Sequence, residues 1–405
     1  MLSLGSAVVS AQSPIQSVLQ RSCAALDRRV DADPGPEPLL LRSYDAAGGA
    51  GEPAQDALKT AAFTYDNALA VIALLACDHR AEALRVGTAL ERAALRDPRL
   101  RNAYRAGAVA EKPLPNGWWD AAQARWAEDL YQAGTAAGNV AWTALALLAL
   151  DDATGDRRWR AGAEKLARWV VANTGNDRNG GFTGGVEGFD ADAQMLGWKS
   201  TEHNIDLAAV FAWLDGLEPG KWRDGAERAR RFVDAQWDEA SGHFLVGTLP
   251  DGTTPNRAMS ALDVQLWVQL LPSARPDWRK AIAYVELAHG VTGGFDFNAD
   301  RDGLWLEGTA QAALVYRRQG RERDAGALLA TIAGQFSPGG YVWATREPRI
   351  STGLALGSAS TTADFYYYRQ PHLAATAWAA LAATGRNPLA APRRSAATPQ
   401  DPGRP

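Results

Sequence analysis

The chain is poor in the residues that support metal and redox chemistry. Its 405 residues include two cysteines, Cys23 and Cys77, five histidines and three methionines. Two cysteines make neither a disulfide framework nor a Cys-rich zinc site. They fall on helices that follow one another in the chain, so in an exported protein they can bond to each other. Basic excess is absent: 42 Lys and Arg against 46 Asp and Glu give a net charge of −4. With a pI near 5.8, a nucleic-acid footprint is excluded. The longest apolar run, around Val140 to Leu150, is about half the roughly 20 residues a membrane helix needs. No Gly-rich segment follows a strand as a phosphate loop would. There is no Gly-x-Ser-x-Gly elbow. No cofactor, metal, nucleic acid or membrane span is expected, and the protein is expected to be monomeric.

Tryptophan is abundant. There are 15, against 10 Tyr and 10 Phe. Indole is large, flat and amphipathic, so these rings either fill space between helices or form wide aromatic surfaces for a ligand. The ends differ from the middle. Met1 to Ala11 has a short apolar stretch followed by Val9-Ser10-Ala11, which suits a secretory cleavage site, so export is favoured over a cytoplasmic location. Residues 1–13 form that N-terminal segment, and 389–405, rich in Pro, Ala and Arg, read as a disordered tail.

Between them the pattern is helical throughout. Apolar helices fit at about 66–78, 138–151, 202–216, 257–272, 306–319 and 370–385. More charged helices fit at about 14–31, 80–96, 156–173, 221–238, 276–289 and 322–335. Ala144-Leu-Ala-Leu-Leu-Ala-Leu150 has no polar face and must be buried. Links from apolar to charged helices are tight, as in Thr154-Gly155-Asp156. Links from charged to apolar helices are long, which brings every long link out on one face. Those links repeat a Gly-Gly-aromatic string: Gly180-Gly-Phe182, Gly293-Gly-Phe295 and Gly339-Gly-Tyr341. The ring of each is expected to point into the loop face. Twelve helices in this alternation predict six hairpins closed into a ring, an all-α (α/α)6 toroid built as a single domain over 14–388.

The strings Thr64-Tyr-Asp-Asn-Ala-Leu69, Ser200-Thr-Glu-His-Asn-Ile-Asp206, Trp305-Leu-Glu-Gly-Thr-Ala-Gln311 and Pro371-His-Leu-Ala-Ala-Thr-Ala-Trp378 resemble those of bacterial members of the six-hairpin glycosidase superfamily. The resemblance covers about residues 14–388. It implies a carbohydrate-active enzyme, although that fold also carries epimerases and lyases.

The first turns of the inner helices converge on the mouth of the ring. They carry Asp66 and Asn67; Asn139 and Trp142; Glu202, His203, Asn204 and Asp206; Arg257 and Asp263; Trp305, Glu307 and Gln311; and Arg369, His372 and Trp378. An acidic cleft walled by aromatics suits an oligo- or polysaccharide. Glycoside hydrolysis needs one protonated and one ionised carboxyl. Glu307, beside Trp305, is the expected acid. Asp66, at a helix N-terminus with Thr64 as N-cap, is the expected base or nucleophile. Glu202 joins them, with Asp206 one turn behind. The sugar is expected to touch Asn67, Trp118, Trp142, His203, Asp206, Trp305, Gln311, Tyr341 and His372. Acidic residues also occur in first turns simply to complement the helix dipole. Asp206 and Asp263 can equally be structural, paired with His203 or Arg257.

Three other activities stay open at this point. His203 and His372 could exchange a proton with a sugar, as a 2-epimerase does. A polysaccharide lyase or a non-catalytic glycan-binding protein would use the same cleft. Asn298-Ala-Asp300-Arg-Asp302-Gly303 resembles the start of a calcium loop, but Thr309 occupies the position of the bidentate Glu. It reads as an Asx-rich turn.

Overall fold

A computed structural model of the chain describes residues 12–97, 99–175, 180–357, 360–363 and 365–392. The export-like segment Met1–Ala11 and most of the 389–405 tail lie outside the described residues. Among the described residues, twelve principal helices alternate between an inner and an outer ring. The inner helices are Thr64–Ala76, Ala137–Thr154, Thr201–Leu217, Leu262–Trp267, Leu306–Arg318 and Leu373–Thr384. The outer helices are Pro14–Asp31, Arg80–Arg96, Arg157–Thr174, Arg223–Ala235, Lys280–Ala288 and Glu322–Ala333.

Apolar coverage decides which ring a helix joins. Ala137–Thr154 is buried on every side from Val140 to Asp151, as a helix without a polar face must be. Arg223–Ala235 buries only Ala229, Phe232 and Val233. Each inner helix packs on the next, and Leu373–Thr384 packs back on Thr64–Ala76, so the ring closes. The outer helix Pro14–Asp31 completes the circle against Leu373–Thr384 and Glu322–Ala333. Cys23 and Cys77 form a disulfide, with their Cα atoms 5.7 Å apart. It ties this outer helix to the end of the first inner one. Among the described residues, no helix is long and apolar enough to cross a membrane.

The fourth inner helix is shorter than its sequence pattern suggested. It starts at Leu262 and passes into a 3-10 turn at Val268–Leu270. Arg257 therefore lies outside it, and pairs with Asp238 at 3.0 Å rather than with Asp263. Asp263 falls in the first turn.

The long links hold the strand content of the molecule, all of it short and antiparallel. They also join one another around the mouth. Ala61–Phe63 pairs with Ala103–Arg105, and Thr135–Ala136 pairs with Gly185–Glu187. Ser200 bridges to Gly247 and Tyr44 to His372. Leu262 N donates to Phe297 O at 2.9 Å, and Leu306 N to Ala344 O at 3.0 Å. The mouth is thus a closed collar of hydrogen bonds.

A second repeat fastens the collar to the helices. In five of the six hairpins, the fourth residue after the inner-helix N-cap reaches back to the backbone of the preceding link. Asn67 Oδ1 accepts from Leu41 N at 2.8 Å, while its Nδ2 donates to Leu41 O and Phe63 O at 3.0 Å. Asn204 grips Phe182 N and O in the same way, and Gln265 grips Phe244. Thr309 accepts from Phe295 N, and Thr376 from Val342 N. The link aromatics consequently turn into the wall rather than the mouth. Phe182 stacks on Phe211 at 5.3 Å, and Phe295 meets Tyr316 at 6.4 Å. For Phe182 and Phe295 this corrects the expectation that the Gly-Gly-aromatic rings point into the loop face.

Candidate active site

Two tiers of side chains face the axis of the ring. The upper tier comes from the second residue after each inner-helix N-cap: Tyr65, Gly138, Glu202, Asp263, Glu307 and Ala374. The lower tier lies four residues on, one helical turn deeper: Leu69, Trp142, Asp206, Trp267, Gln311 and Trp378. Trp142, Trp267 and Trp378 pack on one another at centroid distances of 5.1–5.8 Å and form a floor. Gly138 leaves room for His203; a Cβ there would lie 2.5 Å from the His203 Cδ2.

Glu307 is the best-held carboxyl. It is 1% exposed. Its Oε1 accepts a 2.6 Å hydrogen bond from the Tyr65 hydroxyl, which in turn accepts one from Trp378 Nε1 at 3.0 Å. Gln311 Nε2 makes a longer 3.5 Å contact to the same oxygen. Its Oε2 has no hydrogen-bond partner. Burial pushes Glu307 up to about 7, helped by Asp66 and Asp263 and opposed by His372 and the Tyr65 hydroxyl.

His372 lies between two carboxyls. Its Nε2 is 3.4 Å from Asp66 Oδ2, and its Nδ1 is 3.7 Å from Glu307 Oε2. Burial alone would lower the imidazole, but these two carboxyls more than compensate and hold it above its ordinary value. Tyr44 stacks on the ring, 4.8 Å away and 13° from parallel. Tyr367 lies 6.0 Å away on another side.

The remaining acids are pushed upward too. Burial dominates for Glu202, with Asp263 and Glu307 adding to it. Asp263 is pushed up to about 7 by burial, although Val264 N donates to it at 2.7 Å. Asp206 is fully buried, and neither of its oxygens has a hydrogen-bond partner. Burial, Glu202 and Asp263 hold it well above the usual carboxylate range, and the Trp142 indole N–H offsets this only in part. Burial also lowers His203 to about 4, so its ring is neutral at pH 7.

The cup therefore contains polar atoms whose protein contacts are long or missing. Glu307 Oε2 and Asp66 Oδ2 have only His372, at 3.7 and 3.4 Å, and Gln311 Oε1, His203 Nδ1 and Trp267 Nε1 have no hydrogen-bond partner. Buried polar groups are normally paired. A ring of acceptors interleaved with N–H donors is what a polyhydroxylated ligand would complete.

Asp66, Glu202 and Glu307 come together here with Trp142, His203, Asp206, Gln311 and His372. Asn67 does not join them, because its amide is committed to Leu41 and Phe63. Thr64 is the first residue of its helix rather than its N-cap; its hydroxyl donates to Asn102 O at 3.1 Å. Trp305 packs between Phe297 and Tyr367. Tyr341 is buried near Arg29, with its hydroxyl unpartnered. Trp118 is half-buried on a rim hairpin. Reading from sequence missed Tyr65, Tyr44 and Tyr367, and placed Arg257 in the first turn beside Asp263. The i, i+4 step from Asp263 would have found Trp267.

Away from the cup, Asp300 N donates to Asn298 Oδ1 at 2.8 Å, the Asx turn expected there. The carboxyls of Asp296, Asp300 and Asp302 have oxygens within 4.8 Å of one another. Burial pushes Asp296 up to about 7.

No protein-family model matches the chain, and no curated protein matches it either. Solved structures do match. A glycosidase variant in complex with glucose has a TM-score of 0.60 at 14% identity, over 93% of this chain and 98% of that one. The cellobiose 2-epimerase from Spirochaeta thermophila has a TM-score of 0.59 at 14% identity, over 91% and 97%. A GH76 α-mannanase from Bacteroides thetaiotaomicron has a TM-score of 0.55 at 12% identity, over 92% and 98%. At these identities the likeness is one of fold: the chain has the (α/α)6 toroid fold.

Proposed function

We propose that the protein is a carbohydrate-active enzyme, and specifically a glycoside hydrolase in which Glu307 is the general acid. One observation carries the reading: a fully buried carboxyl, pushed up by that burial to about 7, with Oε1 held by the Tyr65 hydroxyl and Oε2 without a hydrogen bond, 3.7 Å from His372 Nδ1. Such a group holds a proton at neutral pH and can give it to a leaving glycosidic oxygen. Asp66, on the far side of the His372 ring, serves as base or nucleophile. Both carboxyls contact the His372 ring, at 3.4 and 3.7 Å, and this reading requires them to hold the span of about 5–10 Å that two-carboxylate glycosidases use. Glu202 and Asp206 bind sugar hydroxyls, and the three packed indoles carry the sugar's C–H face. The carbohydrate names of the structural neighbours support the same substrate class. The Cys23–Cys77 disulfide supports an exported protein.

A 2-epimerase is the second reading. His203 is neutral with a free Nδ1, so it could accept a proton, and His372 could return one. The two readings separate in one experiment. Glucose-, cello- and manno-oligosaccharides are incubated with the protein, and reducing ends, epimers and unsaturated products are followed together. Hydrolysis gives new reducing ends, and Glu307→Gln lowers its rate by about 10²–10⁴. Altered sugar identity at constant chain length, lost in His203→Ala and His372→Ala but kept in Glu307→Gln, overturns the hydrolase.

A further inference from the structure

The rim hairpin Trp118–Asp120/Arg125–Ala127 sets Trp119 and Trp126 opposite each other as a cross-strand pair. Both are exposed, at 62% and 46%. Trp126 is nonetheless held in place. The Arg105 guanidinium lies 4.9 Å from its ring centroid. Its Nε1 sits against Gly117, where a Cβ would come within 2.5 Å. Beside it runs a groove of about 390 Å³, lined by Arg125, Trp126, Ala127, Glu128, Leu130 and Phe189.

The groove has fixed walls. Arg101 pairs with Glu128 on one side and Asp190 on the other, both at 3.0 Å. Arg99 donates to Gly188 O at 2.6 Å. The groove also adjoins the cup. Leu130 lines it, and the next residue, Tyr131, has a phenol that feels the charges of Glu202 and Asp66.

We propose that this groove is an outer subsite for a glycan chain whose reacting unit occupies the carboxyl cup. The substrate is then an oligosaccharide chain rather than a mono- or disaccharide. The proposal rests on the carbohydrate reading above and deepens it. Flat rings cover the C–H faces of sugars, and Arg125 and Glu128 stand beside them to take hydroxyls. A protein partner would favour a fully apolar centre with charge at the rim; here charged groups interrupt the aromatic surface itself.

The test uses malto-, cello- and manno-oligosaccharides of two to six units, with affinity measured by calorimetry and turnover by product analysis. In the wild type, affinity and kcat/KM rise with chain length in at least one series. Trp126→Ala lowers both by about three- to tenfold for the longest chains, and the loss grows with length. Trp126→Phe recovers part of it, and adding Phe189→Ala deepens it. Turnover with no dependence on length, or an equal loss at every length, overturns the subsite and leaves the hydrolase standing. Length-dependent binding through Trp126 without any turnover supports the subsite and overturns the hydrolase. Failure to bind any of the three series overturns both.

Discussion

The Tyr65 hydroxyl donates to Glu307 Oε1 at 2.6 Å. Tyr65 opens the first inner helix and Glu307 the fifth, so the bond crosses the ring. It favours the ionised carboxylate and so works against the burial that raises Glu307. Tyr65→Phe removes the bond and moves Glu307 further upward. A general acid acts below its pKa, so the alkaline limb of the kcat/KM profile shifts to higher pH in the variant. The misaligned carboxyl also costs about tenfold in kcat. A pH–rate profile with an unmoved or acid-shifted alkaline limb would refute the role of Tyr65.

The backbone pins predict a separation of stability from catalysis. Asn204→Ala leaves Phe182 N–H and C=O unpaired in a buried position, which costs about 2–4 kcal/mol. Urea midpoints should fall while activity per folded molecule is retained. Asn67→Ala should be destabilising by a similar amount, because it frees Leu41 in the same way. If Asn67→Ala instead raises KM with an unchanged midpoint, the amide binds substrate and the pin is secondary.

The ring itself was legible because burial leaves a plain trace. An all-apolar run such as Ala144 to Leu150 has to be an inner helix, and alternating short and long links dictate a single loop face. The convergence of Glu307, Asp66 and Glu202 was legible for a similar reason, since each is an acid at an apolar helix start. The assignments that failed depended on where backbone polar groups find partners. Asn67 resembles a ligand-binding amide in sequence, yet Leu41, 26 residues earlier, takes it. Phe182 resembles a loop aromatic, yet Asn204 turns its backbone so that the ring meets Phe211. Arg257 was misplaced because the pattern around 257–261 continues the apolar helix without adopting it.

The disulfide gives a stability prediction. It closes a sequence separation of 54 residues between two helices that also pack together. Restricting the unfolded chain over such a loop is worth about 2–4 kcal/mol. Cys23→Ser with Cys77→Ser should lower the guanidinium midpoint accordingly, and reductant should lower the wild-type midpoint by a similar amount. A wild-type midpoint that is insensitive to reductant, with free thiols detected in the folded protein, would show that the bond does not form.

The crowded acids fix the sign of the protein's pH dependence. Glu307, Asp263 and Asp296 are raised to about 7, and Glu202 and Asp206 are raised further than their ordinary range. Each binds its proton more tightly when folded than when unfolded. Each therefore contributes stability that is full below the unfolded carboxyl pKa and is lost as pH rises through the folded value. His372, also raised, acts in the same sense over its own range. His203 and His289, lowered to about 4, and His243, lowered less, oppose them, since they lose stability as pH falls. Burial raises Asp302 and Glu91 in the same sense, so the raised groups outweigh the three lowered imidazoles. Thermal midpoints should fall as pH rises from about 5 to about 7.5. Asp206→Asn, which removes a titrating group while keeping a neutral side chain of the same shape, should flatten that slope. A midpoint that climbs across this range, in wild type and variant alike, would mean that the carboxyls of the cup are ionised in the folded protein, and Glu307 would lose its claim to be the acid.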